Sequence, residues 1–535
     1  MYFKMSTKEW QDVLESELWD LDYADMNLFS PLLLSYYDLS PAVKRCFPYC
    51  AIFPKDTLID RDDLIQQWIS QGFLDLKKDI AEKEMAALKC FESLAMRSFL
   101  QDFENDIEWN AVRCKMHDIV HDFAQFLSRN ESSITRIENI QQLYGRRTRH
   151  LNLLFPSEAN ESLPILKSKY LRTLVVSNIA AINSSDQFMH VKCLRTLNLS
   201  RCFIKELPQN IDELVHLRYL NLSHNLELKE LPNTVGNLCN LQTLRLLHCY
   251  SLESLPETVG KLSSLGMIKE FRVPNSNNNE ACKLGDLWNL DNLLQLYIRG
   301  LGDAEEHVED AKQAPLKNKK GLLNLTLYFS SSSRKIHEDV LEALEPHPNL
   351  ESLRIAFFEG FTVSPSWLMS LTTLKRLVML DCSCEVLPPL GRLPSLETLD
   401  ILALEKVEKV GSEFLGIQVD DNHLFINSPS SPSSNTLFPK LKKLRFERMD
   451  ALQQWVSIPR GCKSENRHLS YRIMPCLQSL EFVSCIGLEE LPDFLPRTPL
   501  QNLIIECSWV LEECCQKGTA KEWPKIFLIP NIQIS

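Results

Sequence analysis

Residues 117–121 read His-Asp-Ile-Val-His. Two imidazoles four positions apart stand on one face of a helix and can share a metal ion. The carboxylate between them invites comparison with H-E-x-x-H, the zinc-peptidase pattern whose glutamate is the general base. Asp118 is one methylene shorter than that glutamate, no H-x-x-G-x-x-H continuation follows, and no third ligand is evident nearby. A second chemistry is open to the same residues. His117 and Asp118 stand where a helix should start, and the free N–H groups and dipole of a helix N-terminus favour an anion such as a phosphate. A third reading is plainer: Met116, Ile119, Val120, Phe123, Ala124 and Leu127 form one apolar stripe, and His117, Asp118, His121 and Asp122 fall away from it.

The elements that must position this stretch come from the front third of the chain. Ser6-Thr7-Lys8-Glu9 makes a capping box, opening a helix with Trp10, Leu14 and Leu18 on its apolar face. Ser30-Pro31 and Ser40-Pro41 each pair an N-cap residue with proline at the first helical position, which predicts short helices over 31–37 and 41–50. Asp60 caps another, with Leu64, Ile65 and Trp68 inward and Gly72 as its stop. A longer helix is expected over 80–96, with Met85, Leu88, Leu94 and Ala95 as core candidates. The period then changes: SFLQDF and WNAVRCKM read as two strands around ENDIE. Helices followed by such a hairpin predict a winged helix. Charge argues against DNA as its partner. Residues 31–127 hold 16 acidic and 11 basic side chains, and the hairpin carries Asp102, Glu104, Asp106 and Glu108 where a phosphate-facing wing needs lysine or arginine.

Behind this domain the chain repeats itself. Leu171, Leu194, Leu217 and Leu241 each open an L-x-x-L-x-L unit, at steps of 23, 23 and 24 residues. The unit returns less regularly at Leu293, Leu322, Leu350, Leu374, Leu396, Leu441, Leu477 and Leu500. This is a leucine-rich repeat: the last two leucines alternate with polar residues, as a strand with one buried face requires. A second buried row follows each strand, as in Leu207-Pro208, Ile211 and Leu214, then Leu231-Pro232, Val235 and Leu238, then Leu255-Pro256, Val259 and Leu262. Single units cannot bury both rows alone, so they stack into a solenoid. Cys202, Cys249, Cys382 and Cys485 fall at the N/C position that Asn225 fills in another copy, and read as buried structural thiols. The polar columns Thr196, Asn198, Arg201, then Tyr219, Asn221, His224, then Thr243, Arg245, His248 should line a concave sheet and bind a protein partner. NSNNNE (275–280), SSSS (330–333) and NSPSSPSSN (427–435) read as flexible insertions.

The totals agree with a multidomain, mixed α+β protein. The net charge of −12, from 58 basic and 70 acidic residues, argues against nucleic acid and anionic membrane over most of the surface. No apolar run approaches the roughly 18 residues needed to span a bilayer. The 17 cysteines, without a secretory pattern in MYFKMSTKEW, suggest reduced thiols in the cytosol or nucleus.

LLLSYYDLSPAVKRCFPYCAIFPKDTLIDRDDLIQQWISQGFL, followed by KMHD, resembles the winged-helix part of plant intracellular nucleotide-binding leucine-rich-repeat disease-resistance proteins of the coiled-coil class. Cys46–Asp56 (CFPYCAIFPKD) is similar to a motif of that group, Met116-His117-Asp118 to its M-H-D triplet, and RTRHLNL (147–153) to its first repeat. The resemblance implies three parts: 1–30 ending a helical subdomain of the nucleotide-binding module, 31–135 a winged-helix domain, and 145–535 the α/β horseshoe of repeats. It also implies that His117 contacts the phosphates of ADP in a resting switch, that Asp118 supports it at the helix start, and that ATP replaces ADP on activation. The implied partners are a pathogen-derived or guarded host protein and an upstream nucleotide-binding domain, in the cytoplasm, with the nucleus or a membrane surface as alternatives. The family's phosphate loop, G-x-x-x-x-G-K-[S/T], is missing; the one Gly-Lys pair, Gly260-Lys261, precedes leucine inside a repeat. The expectation is therefore the carboxy-terminal portion of an immune receptor, which alone binds no ADP tightly and is not an enzyme. A freestanding repeat adaptor with no nucleotide role is the alternative.

Overall fold

The computed structural model describes residues 24–74, 79–106, 111–128, 131–143, 147–154, 168–177, 190–274, 280–314, 316–330, 333–417, 436–455, 471–518 and 521–535. The helix expected from Ser6, the turn at 107–108, and the insertions at 275–279 and 427–435 lie outside them. The chain divides into two compact units, Met1–Met267 and Ile268–Ser535.

In the first unit α1 (Ala24–Tyr37) and α2 (Pro41–Tyr49) lead into a 3-10 turn, Cys50–Ile52. Ser30-Pro31 does not start a helix as expected. α1 runs from Ala24 through Pro31, because Phe29 and Leu33, one turn apart, both belong to the core that continues across the proline. Ser40 does cap α2, accepting from the Val43 amide. After the short strand β1 (Ile59–Asp60), α3 (Arg61–Gln71) is fixed at both ends: the Asp60 carboxylate accepts from the Asp63 amide at 2.8 Å, and Gly72 closes it at φ 74°. α4 (Ile80–Met96) has Leu94 in the core, but Met85 is 53% exposed, on the turn of the helix that faces water. β2 (Gln101–Asp106) and β3 (Ala111–Lys115) form the hairpin, β1 pairs with β3, and α5 (Asp118–Ser128) follows. The core closes on aromatics: Phe47 lies 4.7 Å from Phe99 and 5.8 Å from Phe123 between ring centroids, and Phe29 lies 5.4 Å from Phe123.

The repeat sheet begins earlier than its sequence signature. β4 (Ser132–Arg136), which falls at the end of the expected winged-helix segment, pairs in parallel with β5 (His150–Leu154). β6 (Thr173–Ser177), β7 (Thr196–Asn198), β8 (Tyr219–Asn221) and β9 (Thr243–Arg245) extend the sheet one repeat at a time. The second buried row sits on 3-10 turns at Ile211–Glu213, Asn233–Asn237 and Glu257–Lys261, with Ile211, Val235 and Val259 all 0% exposed.

The second unit continues the pattern with β10 (Met267–Arg272), β11 (Gln295–Leu301), β12 (Asn324–Phe329), β13 (Ser352–Ala356), β14 (Arg376–Leu380), β15 (Thr398–Leu402), β16 (Lys443–Glu447), β17 (Ser479–Val483), β18 (Asn502–Glu506) and β19 (Asn531–Ile534). From β11 onward each of these pairs in parallel with the next. The irregularly spaced leucines from Leu293 to Leu500 are all buried here. α6 (Glu306–Gln313) and α7 (Arg334–Ala343) lie between strands. Ser333, in a stretch read as flexible, instead caps α7 by accepting from the Ile336 amide.

The N/C position explains the cysteines. Asn225 accepts from the amides of Cys202 and Ile204 and donates to the carbonyls of Leu199 and Leu222, so one buried amide joins two repeats. Cys202, Cys249, Cys382 and Cys485 are buried in the equivalent place, and each thiol donates to carbonyls of the preceding repeat. Burial pushes the Cys382 and Cys485 thiols up to about 12, far from the reactive range. Asn225→Ala should orphan three buried backbone groups, the Leu222 carbonyl keeping the Cys249 thiol, and lower stability by at least about 2 kcal/mol, read as an earlier midpoint in denaturant unfolding. Cys202→Ala, which removes weaker bonds, should cost less.

Candidate functional site

α5 begins at Asp118, and the carbonyl of His117 accepts from the amides of Val120 and His121. His117 is therefore the residue that opens the helix, and its ring is exposed, as is Asp118. Its Nδ1 accepts from the Ile119 amide at 3.3 Å. A ring nitrogen that accepts carries no proton, so the neutral imidazole holds its proton on Nε2, on the side facing solvent. His121 behaves differently from the expectation that it lies on the outer face. It is 3% exposed, and its Nε2 lies 2.7 Å from the carbonyl oxygen of Phe53, to which it donates. The turn after α2 needs that donor, so His121 is part of the core and the two imidazoles do not converge on a shared metal. Next to them Lys55 pairs with Asp122 at 2.7 Å.

A second cluster joins the winged helix to the first repeats. α3 lies against β7 and β8, and its face of Gln66, Gln67, Ser70 and Gln71 is buried, not solvated. Ser70 Oγ lies 2.6 Å from Thr196 Oγ1, and Gln71 Nε2 donates to the same Thr196 hydroxyl at 2.8 Å. Thr243 Oγ1 donates to Gln66 Oε1 at 3.0 Å. Arg195 and Arg218 donate to the carbonyls of Gln71 and Ser70, the negative end of the α3 dipole. At its other end Asp63 accepts from the Tyr219 hydroxyl and pairs with Arg245 at 3.1 Å; Asp60 lies 3.9 Å from the same guanidinium. Burial works against the Arg245 charge, but Asp63, Tyr219 and Asp60 outweigh it and its pKa is raised. Under α2, Tyr49 donates to Gln67 Oε1 and packs edge-on against His150 at 4.9 Å, while His150 Nδ1 lies 2.9 Å from Thr173 Oγ1. Asn152 Nδ2 donates to the carbonyl of Ile52.

This cluster corrects the expected partner surface. Thr196, Tyr219, Thr243, Arg245, Asn198 and Asn221 are all buried. The first four hydrogen-bond or ion-pair with α3, so they meet this chain's own winged helix and are not open to an outside partner. Asn198 and Asn221 accept from the amides of Ser200 and Ser223, building the turns at which Arg201 and His224 take φ 60° and 63°. Arg201 is exposed, and His224 and His248 are half-buried, their rings stacked 4.4 Å apart. Sequence reasoning missed Gln66, Gln67, Ser70, Gln71, Asp63, Tyr49 and His150. The available signal was the run of neutral amides in IQQWISQG, too uncharged for an outer helix face.

Known proteins fit this arrangement. The winged-helix domain of disease-resistance proteins matches residues 52–124, and a leucine-rich-repeat region matches 147–505. The RGA1 disease-resistance relative of Solanum bulbocastanum is 36% identical over 75% of this chain and 40% of its own length. RPP13-like protein 1 of Arabidopsis thaliana is 33% identical over 92% of this chain and 49% of its own length. This chain belongs to the plant disease-resistance proteins. It spans less than half the length of either relative. A solved leucine-rich-repeat protein of Leptospira interrogans aligns at 18% identity and a TM-score of 0.38, over 70% of this chain and 96% of that one. Among the described residues no helix is long and apolar enough to cross a membrane.

In this disease-resistance chain the helix α3 contact should be separable from the fold. Asp63→Ala leaves Arg245 buried with only the more distant Asp60, and should raise hydrogen exchange across α3. The double change with Arg245→Met should restore much of the protection, since it removes the uncompensated charge. The contact should also weaken in acid. Burial, then Arg172, Arg149 and Arg195, lower the His150 pKa from 6.5 to about 3. A proton therefore binds the separated state more readily than the docked one. Stability from this group is complete above about pH 6.5 and falls by up to about 1.4 kcal/mol per unit as pH drops toward 3. His150→Gln should flatten that part of the pH profile in thermal melts.

Proposed function

We propose that this chain is the sensing and switch-coupling part of a plant immune receptor, in which the repeats recognise a pathogen-derived or guarded host protein and the winged helix helps hold ADP at rest. The observation that carries the reading is that the domain bearing the exposed His117 ring is fastened by α3 to the first repeats. A change at the repeats then has a rigid path to the histidine, and ADP supplies, when bound, the negative charge that the histidine recognises.

The residues present fit one contact to such an anion. Nε2–H of His117 faces solvent at a helix N-terminus, with Nδ1 held by the Ile119 amide, so the ring is pre-set to donate. Asp118 begins the helix that orients the ring. Lys55 is engaged by Asp122, which leaves His117 as the donor facing outward at this point. The phosphate-loop pattern is absent from the sequence, so tight binding requires an upstream nucleotide-binding domain. We place the working chain in the cytoplasm; the cysteines among the described residues are free thiols, in keeping with a reducing compartment.

The test is a receptor carrying this chain behind a nucleotide-binding domain. His117→Ala should weaken retention of labelled ADP about 10- to 150-fold, the loss of one charge-assisted hydrogen bond. His121→Ala should instead lower the melting temperature, because it removes the donor to Phe53. Equal ADP retention by the wild type and His117→Ala removes His117 from the switch and favours an adaptor indifferent to nucleotide.

A further inference from the structure

Arginine stands just ahead of four successive repeat strands. Arg149, Arg172, Arg195 and Arg218 precede His150, Thr173, Thr196 and Tyr219, which are partners in register across β5, β6, β7 and β8. The amides of Arg172, Arg195 and Arg218 each donate to the carbonyl of the preceding arginine, at 2.7, 2.7 and 2.8 Å, so the four residues form a ladder stepped at the strand spacing of about 4.8 Å. All four are half-buried, and the next step is Gln242. These arginines have partners, but the partners bring little countercharge. Arg149 pairs with Glu131 at 2.7 Å, both side chains more than 40% exposed at 42% and 54%. Arg195 and Arg218 donate to the Gln71 and Ser70 carbonyls, and beside them Arg45 donates to the Phe73 carbonyl at 2.7 Å. A carbonyl accepts without a formal charge. Glu131 is the one carboxylate among the described residues that pairs with any of these guanidinium groups. The repulsion within the ladder has a local effect. Burial, then Arg172 and Arg218, hold Arg195 below its ordinary pKa, and burial with Arg172, Arg149 and Arg195 depresses His150. Arg245, under the same helix, shows the contrast, since Asp63 and Asp60 face it.

We propose that this arginine ladder binds a small anion carrying several phosphate groups, supplied as a free polyol phosphate or as the headgroup of a phosphorylated lipid. Guanidinium groups match phosphate oxygens in shape as well as charge, and each phosphate brings about 1.5–2 negative charges at pH 7 where a carboxylate brings one. Spacing also selects a compact ligand. Carboxylates on one face of an extended peptide recur about every 6.7 Å, wider than the ladder's step. Single-stranded nucleic acid needs open aromatic faces beside the cations, whereas the rings here, Tyr49, Phe73 and His150, pack on one another. Arg195 and Arg218 also hold the C-terminal end of α3, so countercharge on the ladder relieves repulsion within the dock and tightens it. The site goes beyond the reading of His117, and neither depends on the other.

The test uses the whole chain with inositol hexakisphosphate in solution, phosphatidylcholine vesicles with and without phosphatidylinositol bisphosphate, citrate, a short glutamate peptide and a short single-stranded RNA. A phosphate probe should bind saturably, at least about tenfold tighter than citrate, peptide or RNA, and loosen as salt rises. It should raise the melting temperature and the hydrogen-exchange protection of α3. Preference for the phosphoinositide vesicles over the free phosphate supports the site and makes a lipid its source; the reverse preference makes the source soluble. Arg172→Gln and, separately, Arg149→Gln should each weaken binding about tenfold or more. Arg149 lies at the surface, so its variant folds even where the other does not. Arg392→Gln, which removes an exposed arginine of the second unit, should change nothing. Without the anion, Arg172→Gln should melt no lower than the wild type, because it removes a repelling charge. Equal binding of phosphate and citrate, tighter binding of peptide or RNA, insensitivity to both ladder substitutions, or failure of both phosphate forms to bind overturns the site while leaving the proposed function standing.

Discussion

Helix α3 lies across the first repeats by pairing most of the polar groups it covers, and the rest of the first unit is arranged around that contact; Gln67 Nε2, Trp68 Nε1 and Gln71 Oε1 are buried there without a hydrogen-bond partner. Burying an unpaired hydroxyl or amide costs a few kcal/mol, and an unpaired charge costs more. The repeats therefore present a column of threonines and one tyrosine, and the helix presents amides, a serine and an aspartate at the matching heights. The helix direction is fixed as well. Its C-terminal carbonyls meet Arg195 and Arg218, and its acidic N-terminal turn meets Arg245. Reversed, the same helix would bring like charges and like dipole ends together.

A contact built this way differs from an ordinary domain core. The winged helix has its own aromatic core around Phe47 and Phe123, and the repeats have their leucine rows, so neither needs α3's outer face to fold. What joins them is largely polar, with Val175 of β6 reaching the winged-helix core and Tyr49 packed on His150. Polar partners can be exchanged for water at moderate cost, whereas separating packed leucines exposes apolar surface. The joint is thus specific in geometry, and the cost of opening it is set by polar groups more than by packed leucines.

Much of this was legible in the sequence, and the limits are physical. The repeat period, the buried N/C position, the Asp60 and Gly72 ends of α3, and the span 80–96 all follow from local rules, in which a residue's partners lie within a turn or one repeat away. The dock does not. Thr196 and Ser70 are 126 residues apart. A polar column on a repeat strand looks the same whether it faces water, a partner, or a distant helix of its own chain. His121 failed for a related reason: its position off the apolar stripe is real, but the Phe53 carbonyl lies there and requires a donor. Pro31 failed because a start signal yields to core contacts on both sides of it.

The two histidines four residues apart show how one pattern divides into two roles. Both rings leave the same short helix, and both can donate from Nε2. One is buried with a carbonyl already in front of it, so its proton is committed to the fold. The other stands at the helix start, where its own backbone neighbour occupies Nδ1 and nothing in the described structure claims Nε2. A hydrogen-bond donor aimed at solvent contributes nothing to folding, because water serves it equally well. Its orientation serves the proposed anion contact rather than the fold. The same residue type thus reads as structural or functional according to whether the fold has already used its proton, a distinction set by one carbonyl oxygen rather than by the spacing of the motif.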